Sequence, residues 1–238
     1  MPENHETYVE WLRTENRALV ATARFNLAAS VPTCPGWSVR DLLIHHGSFQ
    51  AWITGMLLEH AQFPVAPRHI ELSVDVDVID WYAPIGDQLV AALLEVGPDV
   101  AMWDVTGRHL SGAWARRQAS ETSVHRVDAQ LANGTAKAIE HASDYIDEMV
   151  NLLVPNLIAS FGAPKPTGTM LLESTDEDRI WHATWKAVGS EPADRDADVR
   201  LVGTSSDLFL ALWRRPNAAT FIGDHSTLAS WNATICGT

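Results

Sequence analysis

The chain has 238 residues, 46% of them hydrophobic and 20% charged, and its 30 acidic against 17 basic side chains leave a formal net charge of −13. That length supports one large domain or two small ones, each with its own core. The acidic balance, a pI near 5.1 and the lack of any Lys/Arg cluster exclude a protein that grips nucleic acid or anionic lipid through its overall charge. Small molecules or other proteins are the partners this composition suits.

The opening MPENHETYVEWLRTEN is polar and acidic rather than a basic segment followed by an apolar one. No later stretch reaches the roughly 18 apolar residues of a spanning helix. A soluble, cytoplasmic protein with no membrane association is therefore expected. Cys34 and Cys236 lie far apart, which fits neither a disulfide scaffold nor a paired-cysteine zinc site and predicts two reduced thiols.

From about residue 4 to 29, Val9, Leu12, Leu19, Val20, Ala23 and Leu27 recur at helical spacing and predict an amphipathic helix, broken by Val31-Pro32-Thr33-Cys34-Pro35-Gly36. Ser38, with Asp41 three residues on, is a candidate N-cap for a second helix over 38–61, and Trp37 is expected to anchor its start. The stretch 63–78 reads as irregular. A third helix follows near 79–96, a fourth over 114–132 that stops at Asn133-Gly134, and a fifth over 142–160. Long helices with short breaks predict an antiparallel bundle spanning 1–162.

The character then changes. Residues 163–169, rich in Pro and Gly, read as a linker, and 170–238 as a small α+β domain. Within it, 170–173, 180–188 and 199–202 are β-prone, Asp207–Trp213 reads as a helix and 220–222 as a last strand, with Asp224 in a turn. Trp181, Trp185 and Trp213 are expected to fill this domain's core.

One helix carries a pattern that packing alone does not ask for. Gln118, Glu121, His125 and Asp128 recur at steps of three or four over 114–132, so all four share one face. Glu and His one turn apart can hold a divalent ion, and imidazole with carboxylate suits zinc, iron or nickel. The plain alternative is a solvated Glu beside a His hydrogen-bonded at a helix interface. A third ligand must come from another helix, and the second offers His45 and His46, which point about 100° apart. The apolar face of Leu42, Leu43, Ile53 and Leu57 centres nearer His46. Asp128 can hold the His125 ring or pair with Arg126 or Arg117.

CPGWSVRDLLIHHG at 34–47 resembles the signature of the mycothiol-dependent maleylpyruvate isomerase family, within the wider DinB-like metal-binding bundles. ETSVHRVDA at 121–129 resembles its second signature, ASDYIDE at 142–148 is similar to its following helix, and VRLVGTSSDLFLALWRRP with FIGD resembles its C-terminal, sterol-carrier-like α+β domain. The resemblance implies a metal site of His45, Glu121 and His125, overriding the helical wheel and leaving His46 as a core or outer-sphere residue. It implies mycothiol as cosubstrate. It also implies a C-terminal arginine that meets substrate carboxylates, matched by Arg215, with Arg214 a departure from the family's tryptophan-glycine-arginine triplet.

A divalent ion with an open position lowers a thiol's pKa from about 8.5 to below neutrality and so makes a nucleophile without a protein cysteine. The expected function is isomerisation of, or thiol transfer to, a small unsaturated and electrophilic substrate, a dicarboxylate being one candidate, by a monomer or homodimer. Asp128 and Arg215 are the expected catalytic side chains. A metal-dependent hydrolase on the same bundle and a non-catalytic ligand-binding module are the alternatives.

Overall fold

The computed structural model describes residues 5–64, 66, 70–183 and 197–236. The chain divides into two compact units, Met1–Asp104 with Arg108–Lys137, and Val105–Gly107 with Ala138–Thr238. The Pro- and Gly-rich stretch at 163–169 lies inside the second.

The first unit is four helices, α1 (His5–Ala23), α2 (Val39–Leu58), α3 (Val78–Val96) and α4 (Gly112–Ala132), in which α1 packs on α3 and α4, and α2 on α3 and α4. Leu19, Leu42, Leu43, Ile79 and Tyr82 form a shared apolar cluster. Helix α1 stops at residue 23 rather than 29. The apolar spacing does continue through Leu27, but the carbonyls of Leu27 and Ala29 accept from Arg40 and Val39, tying the chain to the start of α2 instead. Helix α2 opens with the capping box that its sequence predicts, Ser38 accepting from the Asp41 amide and Asp41 from the Ser38 amide. Helix α3 begins at Asp77, whose carboxylate accepts from the amides of Ile79 and Asp80. Helix α4 ends as expected at Asn133, with Gly134 in the left-handed region at φ +69°.

In the second unit the single helix expected over 142–160 is three pieces, α5 (Ala142–Glu148), a π turn (Met149–Leu153) and α6 (Val154–Phe161). Pro155 sits in the first turn of α6, where its missing N–H costs nothing, and the wider turn before it, closed from the Val154 amide to the Met149 carbonyl, accommodates its ring. A four-stranded sheet follows, β1 (Met170–Ser174), β2 (Ile180–Ala183), β3 (Val199–Gly203) and β4 (Thr220–Gly223), ordered β2-β1-β3-β4 with β1 and β3 parallel and the other pairs antiparallel. The expected continuation of β2 to 188, with Trp185, lies outside the described residues.

Helices α7 (Ser205–Leu212) and α8 (His225–Cys236) pack on this sheet. Met170, Leu172, Trp181, Val199 and Leu201 are buried, as are Leu208, Phe209, Leu212 and Trp231. Helix α8 was not expected from sequence. Asp224, read there as a turn residue, also accepts from the Ser226 amide and hydroxyl and so opens a helix that buries Trp231 and Ile235. Seven of its twelve positions are Ser, Thr, Asn or Ala, and the first three have weak helix propensity, so tertiary burial is what makes this segment helical.

Candidate functional site

Helix α4 lies buried along nearly all of its length, including Arg116, Arg117, Gln118, Arg126, Asp128 and Gln130. The polar face seen in its sequence is therefore an interior face, organised as hydrogen-bonded pairs. Gln118 Nε2 donates to Glu121 Oε2 at 3.0 Å, and the Arg117 Nε lies 3.8 Å from the same oxygen. One turn on, His125 Nδ1 and Asp128 Oδ2 are 3.2 Å apart, and the fully buried Asp128 also accepts at its other oxygen from Thr33 Oγ1 at 2.6 Å. Arg126 turns elsewhere, its Nε 2.5 Å from Glu15 Oε2 and its Nη1 donating to Gln130. A carboxylate on Nδ1 holds that proton in place and presents Nε2 as the basic atom of His125.

Helix α2 brings both its histidines to His125. The half-buried His45 ring is 5.8 Å from the His125 ring, nearly perpendicular to it, and 4.8 Å from Trp37. The His46 ring is 5.0 Å from His125 and 1% exposed. Both His46 nitrogens have partners, Nδ1 with Tyr82 Oη at 2.8 Å and Nε2 with Thr122 Oγ1 at 3.3 Å.

Those two partners belong to a closed ring. Tyr82 donates to Asn16 Oδ1 at 2.8 Å, and Gln50 Nε2 donates to the same oxygen at 2.9 Å and to Thr122 Oγ1 at 3.4 Å. Because the single Tyr82 hydroxyl proton goes to Asn16, the Tyr82 oxygen accepts from His46 Nδ1–H. Burial, reinforced by His125 and His45, pushes His46 well below the ordinary imidazole range, so it stays neutral, while burial raises Tyr82 well above the ordinary phenol range. A fully buried histidine whose Nδ1–H is held by Tyr82 and whose Nε2 faces the Thr122 hydroxyl is a poor candidate for a metal ligand.

Among the described residues no three His, Cys, Asp or Glu side chains converge closely enough to hold a metal ion. The donor chemistry of His45, Glu121 and His125 still suits a borderline divalent ion. Beside Glu121, the Gln118 Oε1 is buried without a hydrogen-bond partner, an acceptor left over in a polar interior.

The remaining sequence candidates lie in the second unit. Arg214, exposed and at φ +59°, and Arg215 border a cleft of about 390 Å³ with Asn217, Phe221 and His225, and Arg215 Nη1 donates to the Trp213 carbonyl at 2.8 Å. The His225 ring stacks on Phe221 at 4.0 Å. Sequence reading did not single out Thr33, Asn16, Gln50, Tyr82 or Thr122. Each is an ordinary polar or aromatic residue on its own element, and only long-range folding makes it part of the site.

A helical unit followed by an α+β unit with a four-stranded sheet fits the fold of a maleylpyruvate isomerase. The chain matches the mycothiol maleylpyruvate isomerase N-terminal domain over residues 9–130 and belongs to that family. It is similar over 93% of both chains to a crystal structure of the mycothiol-dependent maleylpyruvate isomerase, at 12% identity and a TM-score of 0.57. A histidine-to-alanine mutant of the mycothiol-dependent maleylpyruvate isomerase gives 11% identity and 0.56 over the same coverage. No curated protein matches the sequence significantly. No helix among the described residues is long and apolar enough to cross a membrane.

Proposed function

We propose that the chain is a metal- and mycothiol-dependent enzyme that isomerises a small unsaturated, electrophilic dicarboxylate of the maleylpyruvate type. The observation that carries this reading is the pair of facing imidazoles, His45 and His125, with Glu121 one turn before His125 and Asp128 on its Nδ1. Family membership supports it. His45, Glu121 and His125 are the ligands in this proposal, with zinc the expected metal and iron or nickel as alternatives. When bound, the ion supplies a Lewis acid at which a thiol ionises near neutral pH, and reversible addition of that thiolate to a double bond frees the bond to rotate.

The protein's own part is orientation. Asp128 keeps the His125 proton on Nδ1, and Trp37 flanks His45. His46, held neutral, adds no positive charge to repel a cation. Arg215 is proposed to bind a substrate carboxylate, for which a guanidinium is suited by its paired donors. A cytoplasmic location suits a reaction that relies on a reduced thiol.

The test is a cis–trans isomerisation assay with and without mycothiol, alongside elemental analysis of protein purified without chelator. We expect near one equivalent of metal, turnover only with thiol, and a loss of at least about 10²-fold in Glu121→Ala and His125→Ala with helical content retained. A hydrolysed product formed without thiol would instead favour a hydrolase. Stoichiometric consumption of the thiol would make the enzyme a transferase, and full activity in the metal-free variants would sink the proposal.

A further inference from the structure

We infer that the turn joining α1 to α2 is the element that orients both imidazoles, with Thr33 a positioning residue for His125. The turn is rigid by its own bonding. Val31 donates to the Trp37 carbonyl at 2.9 Å, Cys34 to Val31 at 3.1 Å and Trp37 to Cys34 at 3.0 Å, with Gly36 supplying a φ of +86°. Pro32 and Pro35 fix two more φ angles, so little freedom remains between residues 31 and 37.

From this one turn, contacts reach both histidines. The Trp37 ring lies 4.8 Å from the His45 ring. The Thr33 hydroxyl donates to Asp128 Oδ1 at 2.6 Å, and the other oxygen of that carboxylate faces His125 Nδ1 at 3.2 Å. Asp128 has no solvent exposure, so water cannot take over the bond that Thr33 makes. With one oxygen pinned by Thr33, the carboxylate cannot rotate about its terminal torsion without losing a buried charge-assisted bond. His125 is thereby held with its proton on Nδ1 and Nε2 outward. Thr33 touches no reacting group in this scheme and acts only through Asp128.

The inference rests on the reading of His125 as a metal ligand, so the test separates the two. Zn²⁺ is titrated into metal-free wild type, Thr33→Val and Thr33→Ser by calorimetry, and the His125 ring nitrogens are followed by ¹⁵N NMR in the same samples. Valine keeps the shape and removes the hydroxyl, whereas serine keeps the hydroxyl. Thr33→Val should weaken Zn²⁺ binding about tenfold, the low end for outer-sphere partners of ligating histidines, and shift the His125 signals away from the Nδ1–H pattern. Thr33→Ser should restore both.

Equal losses in Val and Ser would mean that Thr33 only packs, and wild-type behaviour in Val would mean that its hydroxyl does nothing; either overturns the inference. If wild type binds no Zn²⁺, the ligand reading fails, and the metal-free His125 signals decide Thr33 by themselves. A shift in Val that Ser reverses supports it, and unchanged signals overturn it.

Discussion

The two units differ in the polar side chains that they bury. In the bundle, α4 alone buries three arginines, two glutamines, a histidine and an aspartate, and Asn16, His46 and Gln50 join them from α1 and α2. Among the described residues of the second unit the buried polar side chains are hydroxyls apart from Glu148, around a core that includes Leu, Phe and Trp. A buried polar group costs about 1–3 kcal/mol unless a partner satisfies it, so the bundle interior depends on pairing as well as on its apolar cluster, and the second unit mainly on apolar burial. An interior that buries charged and amide side chains along a whole helix is the place to look for chemistry, and there the two facing imidazoles lie.

The largest effect that sharpens this contrast is expected at Glu15. Its carboxylate meets the Arg126 guanidinium with both side chains about nine-tenths buried or more. Removing one partner leaves a buried charge uncompensated, so Glu15→Ala should cost about 3–5 kcal/mol in urea unfolding, whereas Glu15→Leu with Arg126→Met should come close to wild type or exceed it. A single variant as stable as the double would show that the bundle does not depend on pairing as the contrast requires.

How much of this can be read from sequence differs along the same line. Helices α1 to α4 announce themselves because apolar residues repeat at three and four, and the α2 capping box because Ser38 and Asp41 stand three apart. Glu121, His125 and Asp128 are visible for the same reason, since one helix carries all three. Thr33 and Asp128 are separated by 95 positions, Tyr82 and Asn16 by 66, and no local periodicity records such pairs. The helical wheel favours His46 as the inward histidine, and it is the fully buried one; its bond to Tyr82 and the Thr122 hydroxyl beside its Nε2 are invisible in a wheel. The π turn before Pro155 and helix α8 escape notice because an unbroken apolar run hides the first and Ser, Thr and Asn disguise the second.

Arg215 offers a way to break the contrast, by giving the second unit a share of the function. If it binds a substrate carboxylate, Arg215→Ala removes a charge-assisted hydrogen bond of about 1.5–3 kcal/mol and should raise KM about tenfold or more while unfolding stability hardly changes. Steady-state kinetics over a range of substrate concentration reads this directly. An unchanged KM with lowered stability would return Arg215 to a purely local role, the bond from its Nη1 to the Trp213 carbonyl.

The smallest effect concerns the cap that sets the first turn of α2, the helix that carries His45. Hydrogen bonds from the Ser38 hydroxyl and amide hold the Asp41 carboxyl below its ordinary value, with Arg40 helping and slight burial opposing. A carboxyl lowered in the folded state adds stability above its unfolded value near 3.9, and loses it as pH falls through the folded one. Asn at this position keeps an acceptor for the Ser38 amide but has no charge to meet the helix dipole, a difference of about 0.3–1 kcal/mol at low salt. The gap in urea midpoint between wild type and Asp41→Asn should therefore be constant above about pH 5 and close as the pH is lowered below about 4. A gap that widens in acid would mean that the charge on Asp41 opposes the fold, and the capping box would then owe its stability to the neutral hydrogen bonds alone.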